Sequence, residues 1–219
     1  MKGVCAMGVK KGQESIATIL NNLEKLGVHL KKYRTGAYPA FFLQLHTTLR
    51  IQDILDMQLS DIYFFDEGKI RLLPDIVYTS QKVNIDDKGR IELAWYAMQR
   101  MAVCEAKEDV LDDWLCVNKQ GNQLLMQAYR KLLDRSCGEL GFKINYNAGY
   151  LHSLYGYLEI AFGKKTIDEI AKEYEVSRYY LLNRIFRGRD IQYHENIIQQ
   201  VANSNAEEVE GCQAEFIVN

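Results

Sequence analysis

The segment from Leu151 to Arg189 constrains the fold most, because its apolar residues have the spacing of two short helices joined by a tight turn. The residues that share this helical spacing are Ile167, Ile170, Ala171, Leu181, Leu182 and Ile185. Ser177 is placed to cap the second helix, and Glu175 occupies a turn position where glycine is common. The spacing therefore predicts a helix-turn-helix segment over residues 166–186.

The second predicted helix would expose a polar and basic face. Its exposed residues would be Ser177, Arg178, Tyr179, Asn183 and Arg184, and the flanking basic residues are Lys164, Lys165, Arg187 and Arg189. Such side chains suit the phosphate backbone and the base edges of DNA. We expect these residues to bind DNA, and the alternative is a helical hairpin whose basic face is only solvated.

Charge is distributed unevenly along the chain, although the net charge is only -2. Residues 1–36 carry seven Lys or Arg against two acids, and residues 164–189 carry seven against four. Residues 204–219 carry four glutamates and no basic residue. This asymmetry permits a basic face within a nearly neutral protein.

Cysteine and histidine usage predicts a cytoplasmic protein without a metal or another cofactor. The five cysteines are scattered without a CxxC pair, and the four histidines show no spacing typical of metal ligands. No apolar run approaches the roughly 18 residues of a membrane span, so no membrane partner is expected.

The remaining periodicity predicts a mostly α fold with a small antiparallel β-sheet, in the α+β class. Helices are expected at Glu14–Leu26, Pro39–His46, Ile51–Leu59, Ala94–Val103 and Leu124–Cys137. A hairpin is expected at Ile62–Leu73, and a second strand pair would join Ile76–Thr79 to Ile91–Leu93.

The expected organisation has one domain. A flexible lead would cover residues 1–12, the domain residues 13–189, a C-terminal helix residues 190–203 and a disordered acidic tail residues 204–219.

Three segments resemble the catalytic domain of the tyrosine recombinases, or phage integrases. They are Leu45–Leu55 followed by Leu59–Ile62, Trp114–Gly121 before a long helix, and Leu151-His152-Ser153-Leu154. The resemblance runs from about Ser15 to Phe186, which is most of the chain. It implies a tyrosine-recombinase catalytic-domain-like fold.

The resemblance also implies chemistry on double-stranded DNA. Active members cleave a strand through a tyrosine that becomes joined to the 3′-phosphate. Arg50 would be the first phosphate-binding arginine, and Lys82 the catalytic lysine of a polar loop, with Lys88 as an alternative. His152 would open the second motif. Arginine suits this role because its planar fork binds two phosphate oxygens, and lysine or histidine suits general acid catalysis.

The chain departs from the family pattern at the second arginine, the second histidine and the nucleophile. Tyr155 stands where the second arginine is expected, and no histidine stands near Glu173. A missing transition-state charge partner typically costs about 2.7–4 kcal/mol, or roughly 100- to 1,000-fold in rate. Tyr180 is a tentative nucleophile that is out of register, with Tyr179 and Tyr193 as alternatives.

The expected function is therefore that of a DNA-binding protein of the tyrosine recombinase class, connected with DNA integration or recombination of a mobile element. Its strand exchange is expected to be weak or lost. One alternative is an active recombinase or nicking enzyme, and another is a helix-turn-helix transcriptional regulator. The helix expected at Ile191–Val201 is a candidate for self-association. Because few residues precede the recombinase-like part, the chain is expected to be a fragment or a short form.

Overall fold

The computed structural model describes residues 15–67, 69–78, 81–83, 85–103 and 108–186. Two compact units divide the chain between His152 and Ser153. The lead predicted over residues 1–12, the helix predicted over 190–203 and the tail predicted over 204–219 lie outside the described residues.

Helices dominate the first unit. They are α1 (Ile16–Tyr33), α2 (Tyr38–His46), α3 (Ile51–Leu55), α4 (Asp87–Val103) and α5 (Met126–Glu139), followed by the start of α6 (Ala148–Ala161). Ser15 caps α1 by accepting a hydrogen bond from the Thr18 amide at 3.1 Å. Pro39 lies in the first turn of α2, where a missing N–H costs no helical hydrogen bond.

The predicted end of the first helix at Gly27 was wrong. Helix α1 continues to Tyr33, because Leu30 extends its buried face beyond Leu26 and both side chains are fully buried. A glycine inside a helix lowers its stability by roughly 0.5–1 kcal/mol, and burial of the following leucine outweighs that cost.

Two antiparallel hairpins make up the β structure of the described residues. Strand β1 (Tyr63–Asp66) pairs with β2 (Lys69–Leu72), and β3 (Ile76–Tyr78) pairs with β4 (Gln81–Val83). The first hairpin confirms the prediction. The return strand predicted at Ile91–Leu93 was wrong, because those residues belong to α4 and β4 takes that place. The fold class, mostly α with a small antiparallel β part, is confirmed.

Buried polar side chains tie the helices of the first unit together. The Gln44 amide donates to the Ala148 carbonyl and accepts from the Tyr129 hydroxyl, each at 2.9 Å. The Asn22 amide donates to the Tyr146 hydroxyl at 3.1 Å. These bonds join α2 to α5 and α1 to the segment before α6, so the elements around Arg50 and His152 have a fixed support.

The second unit contains the rest of α6, then α7 (Ile167–Glu173) and α8 (Arg178–Tyr180), with a wider π-type turn from Leu181 to Ile185. Thr166 caps α7 and shares a capping box with Glu169. Ser177 caps α8 by accepting from the Tyr180 amide at 3.2 Å. Glu175 has a left-handed backbone conformation, with φ of 54°, although it lacks the conformational freedom of glycine.

Candidate nucleic-acid interface

Arg50 stands at the start of α3 on a turn held by a hydroxyl group. Thr47 donates its hydroxyl to the Leu43 carbonyl at 2.7 Å, and the same oxygen accepts from the Leu49 amide at 3.3 Å. The Arg50 side chain is exposed and, among the described residues, forms no ion pair, including none with Asp53. A fixed backbone and an uncompensated guanidinium leave this residue available to a phosphate.

His152 lies beside that turn. Its side chain is half-buried, and burial lowers its pKa below the ordinary value of 6.5. A hydrogen bond with the Leu49 backbone raises the pKa, the positive charge of Arg50 lowers it and the negative charge of Asp53 raises it. Two of the three residues expected at a phosphate site therefore lie within electrostatic range of each other, and the imidazole is neutral at pH 7.

Lys82 lies on a strand and not in the loop where it was predicted. It is on β4, opposite Val77 on β3. The neighbouring Tyr78 has a pKa raised by burial and by the carboxylates of Asp61, Asp53 and Asp56. Because Asp53 also acts on His152, the hairpin that carries Lys82 is near the same carboxylate. A catalytic role for Lys82 stays a prediction.

The second unit exposes much of the face predicted to bind DNA. Ser177, Arg178, Tyr179, Tyr180, Asn183 and Arg184 are all exposed. The Asn183 amide donates to the Tyr179 carbonyl at 2.9 Å, which leaves its side-chain oxygen available. Leu181 is fully buried, as predicted, whereas Leu182 and Ile185 are only partly buried. Arg187 and Arg189 lie outside the described residues.

Three of the predicted DNA-binding cations form ion pairs within the second unit. Arg178 binds both carboxylate oxygens of Asp168, at 3.2 and 3.0 Å. Lys164 lies 3.2 Å from Glu159. DNA phosphates would have to replace these carboxylates, so Arg184, which forms no ion pair in the part of the chain that the structure describes, is the stronger candidate.

Lys165 belongs to a cluster that the sequence did not reveal. Its ammonium group donates to Glu173 at 2.7 Å and to the Tyr155 hydroxyl at 2.8 Å. Tyr155 also donates to Glu173 at 3.2 Å. Burial lowers the pKa of Lys165, but the bonds to Glu173 and Tyr155 outweigh it and raise the pKa. The two residues that depart from the family pattern, Tyr155 and Glu173, are thus joined by one lysine.

Tyr180, the tentative nucleophile, is about half exposed at 51% and is the last residue of α8. Tyr179 is more exposed, at 77%, and Tyr193 lies outside the described residues. The assignment of a nucleophile therefore stays a prediction.

No group of three or more His, Cys, Asp or Glu side chains among the described residues could hold a metal ion. None of the helices described is both long and apolar enough to cross a membrane.

Comparisons with known proteins extend these observations. Neither a family model nor a curated protein sequence matches the chain. The fold is similar to that of XerA recombinase, with a TM-score of 0.62 and 14% identity over 91% of this chain and 65% of that chain. It is also similar to XerH site-specific recombinase bound to a palindromic difH substrate in a post-cleavage complex. There the TM-score is 0.53 and the identity 15%, over 83% of this chain and 51% of that chain.

The chain thus spans about two thirds of the first of these proteins and half of the second. At such low identity the similarity concerns the fold alone. The sequence had predicted a fold of this class from the order of its elements, which runs from the helix before Arg50 to the segment after His152. The chain has a fold similar to that of a tyrosine recombinase catalytic domain.

Proposed function

We propose that this chain binds double-stranded DNA through its recombinase-like fold, with weak or no strand exchange. The observation that carries the proposal is the position of Arg50 near His152 beside the Thr47 turn. Arg50 provides one permanent cation without an ion pair among the described residues, and its guanidinium suits two phosphate oxygens. His152 is neutral at pH 7 because burial and Arg50 both lower its pKa, so it adds no permanent charge there.

Weak or absent cleavage follows from the small number of uncompensated positive charges near the phosphate site. Phosphoryl transfer depends mainly on positioned positive charge around the transition state. In the second unit, Lys165 is bound by Glu173 and Tyr155, so its charge is already compensated. Loss of one charge partner would lower the rate roughly 100- to 1,000-fold. Duplex binding is less sensitive, because many separate phosphate contacts contribute to it.

A change of Arg50 to alanine tests the binding site. We expect Arg50→Ala to weaken binding of a DNA duplex and to lower the slope of log K against log salt by about 0.9, the value for one lost phosphate contact. Arg71→Ala is a matched control, because the Arg71 guanidinium is exposed and already bound to Asp66 at 2.7 Å. Fluorescence anisotropy across a salt titration gives both quantities. Equal loss in the two variants would contradict a specific site at Arg50.

A nicked suicide duplex tests cleavage. Such a substrate traps a covalent protein–DNA adduct, which a denaturing gel detects. We expect no adduct, or an amount about 100-fold or more below that of an active recombinase run in parallel. An abundant adduct that Tyr180→Phe abolishes would instead establish the active-enzyme alternative. An adduct that survives that change would point to Tyr179 or Tyr193.

The regulator alternative rests on the exposed face of the second unit. There the Ser177 cap, the Asn183 side-chain oxygen and the Arg184 guanidinium are all available to DNA. If this face reads bases, Arg184→Ala should reduce the preference for one DNA sequence over another. If it contacts only the backbone, the same change should weaken binding equally for all sequences.

A further inference from the structure

A second basic site lies in the first unit, away from Arg50 in the sequence. It is a cavity of about 310 Å³, here called the basic pocket and defined by the cations Arg34, Lys119, Lys131 and Arg135. None of these residues was singled out as a binding residue by the sequence, because Arg34 lies far from the other three in the chain. Only the fold brings them together.

Helix α5 supplies one wall of the basic pocket. Ala128, Lys131, Leu132 and Arg135 all line it, and their spacing of three and four residues places them on one face of the helix. Lys119 comes from the turn before α5, and Arg34 follows the last residue of α1. Lys131 and Arg135 are four residues apart on the helix and repel each other, so their proximity destabilises the protein when no anion is bound.

No carboxylate compensates this charge inside the basic pocket. Every residue that lines the cavity is basic, amide-bearing or apolar. Lys119, Lys131 and Arg135 form no ion pair with any residue that the structure describes. Arg34 forms an ion pair with Glu139, with 3.7 Å between the guanidinium nitrogen and the carboxylate oxygen. An anion in the cavity would therefore relieve repulsion among Lys119, Lys131 and Arg135, whose charges have no such partner.

The lining of the basic pocket includes an apolar part, here called the floor and made of Leu124, Ala128 and Leu132. Leu124 is buried, Leu132 is partly buried and Ala128 is exposed. The side-chain amides of Asn118 and Gln120 add hydrogen-bonding groups. A volume of this size is typical of sites for small organic ligands, which combine an apolar lining with a few polar groups. A bare inorganic anion would leave the floor uncovered.

We propose that the basic pocket binds a nucleoside phosphate. The phosphate groups would contact the four cations, and the base with its sugar would cover the apolar floor and meet the two amides. The same chemistry has two sources, a free nucleotide or a nucleotide of an unpaired DNA strand. The pocket is separate from the Arg50 site, so this proposal does not depend on the proposed function.

Binding of three probes to the full chain tests this proposal and separates the sources. The probes are ATP, inorganic pyrophosphate and an oligothymidylate of eight nucleotides, each measured by isothermal titration calorimetry. We expect ATP or the oligothymidylate to bind at least tenfold more tightly than pyrophosphate, because only they have an apolar body. Tighter binding of ATP indicates a free nucleotide, and tighter binding of the oligothymidylate indicates a DNA strand.

Variants locate the binding. The double change Lys131→Gln with Arg135→Gln should weaken binding of the preferred probe at least tenfold, and Ala128→Glu should do the same by adding a carboxylate to the wall. Arg130→Gln is the matched control, because Arg130 is exposed on the same helix but does not line the cavity. It should change the affinity less than twofold.

Three results would overturn the proposal. The first is that neither ATP nor the oligothymidylate binds. The second is that pyrophosphate binds as tightly as they do. The third is that the parent chain and both pocket variants bind the preferred probe with equal affinity. Duplex binding measured on the same variants keeps the two proposals apart. A pocket that fails while Arg50→Ala still weakens duplex binding leaves the proposed function intact.

Discussion

At the scale of single residues, His152 gives the sharpest test of the site. The folded chain lowers its pKa below 6.5, so the unfolded chain binds a proton at pH values where the folded chain does not. The free energy of unfolding should therefore fall as the pH drops through 6.5 towards the folded-state pKa. We expect His152→Gln to remove this part of the pH dependence, as measured by urea denaturation from about pH 5 to pH 8.

Arg50 and Asp53 provide the control, because they shift the His152 pKa in opposite directions. Arg50→Ala removes a charge that lowers the pKa, so it should raise the His152 pKa towards 6.5. Asp53→Asn removes a charge that raises the pKa, so it should lower the pKa further. An NMR titration of the His152 ring protons measures both shifts. A His152 pKa at or above 6.5 in the parent chain would show that the side chain is not buried beside Arg50.

At the scale of elements, sequence periodicity predicted the parts that local interactions determine. Helix α7 has the apolar spacing seen in the sequence, and the caps at Thr166 and Ser177 act through residues only three positions away. Strand β4 was missed, because Gln81 and Lys82 have no apolar alternation that would mark a strand. Its partner on β3 was found, but the pairing depends on the tertiary fold.

The candidate site was likewise predictable from the sequence only in part. Arg50 and His152 were predicted from a family resemblance, yet their proximity depends on how α6 packs near the start of α3. The binding of Lys165 to Tyr155 and Glu173 could not be predicted from spacing, because a flexible lysine has several acidic neighbours within reach. The basic pocket requires Arg34 and residues 118–135, two parts of the chain that only the fold brings together.

Contact between helices in the second unit gives a stability prediction. Gly156 of α6 lies so close to its neighbours that an added Cβ would be 2.7 Å from Ile170 and 2.9 Å from Phe186. We expect Gly156→Ala to lower the free energy of unfolding by about 1–3 kcal/mol, the usual cost of overpacking. Chemical denaturation followed by circular dichroism measures this change.

The control is the same substitution at an open position. An added Cβ at Gly138 of α5 meets no atom within 4 Å. Gly138→Ala should therefore be neutral or raise stability by up to about 1 kcal/mol, because alanine restricts the unfolded chain more than glycine does. A Gly156→Ala protein as stable as the parent would mean that α6 and α7 are less closely packed than the structure indicates.

At the scale of the whole molecule, the net charge of -2 cannot by itself attract DNA. Binding must come from local groups of uncompensated cations, because screening at physiological salt limits exposed charges to a range of about 8 Å. Arg50 in the first unit and Arg184 in the second are two such cations among the described residues. Each ion pair elsewhere, such as that of Arg178 with Asp168, reduces the charge available to a phosphate.

A double variant tests whether Arg50 and Arg184 contribute independently to duplex binding. Each of Arg50→Ala and Arg184→Ala should weaken duplex binding by about 1.5–3 kcal/mol, the range for hydrogen bonds to charged groups. Because the two arginines share no partner, the double variant should lose the sum of the two within about 0.5 kcal/mol. Its slope of log K against log salt should fall by about 1.8, twice the value for one phosphate. Anisotropy titrations of the four proteins on one duplex measure these affinities. If the double variant binds as tightly as the single variant with the lower affinity, the two arginines do not contact the duplex independently.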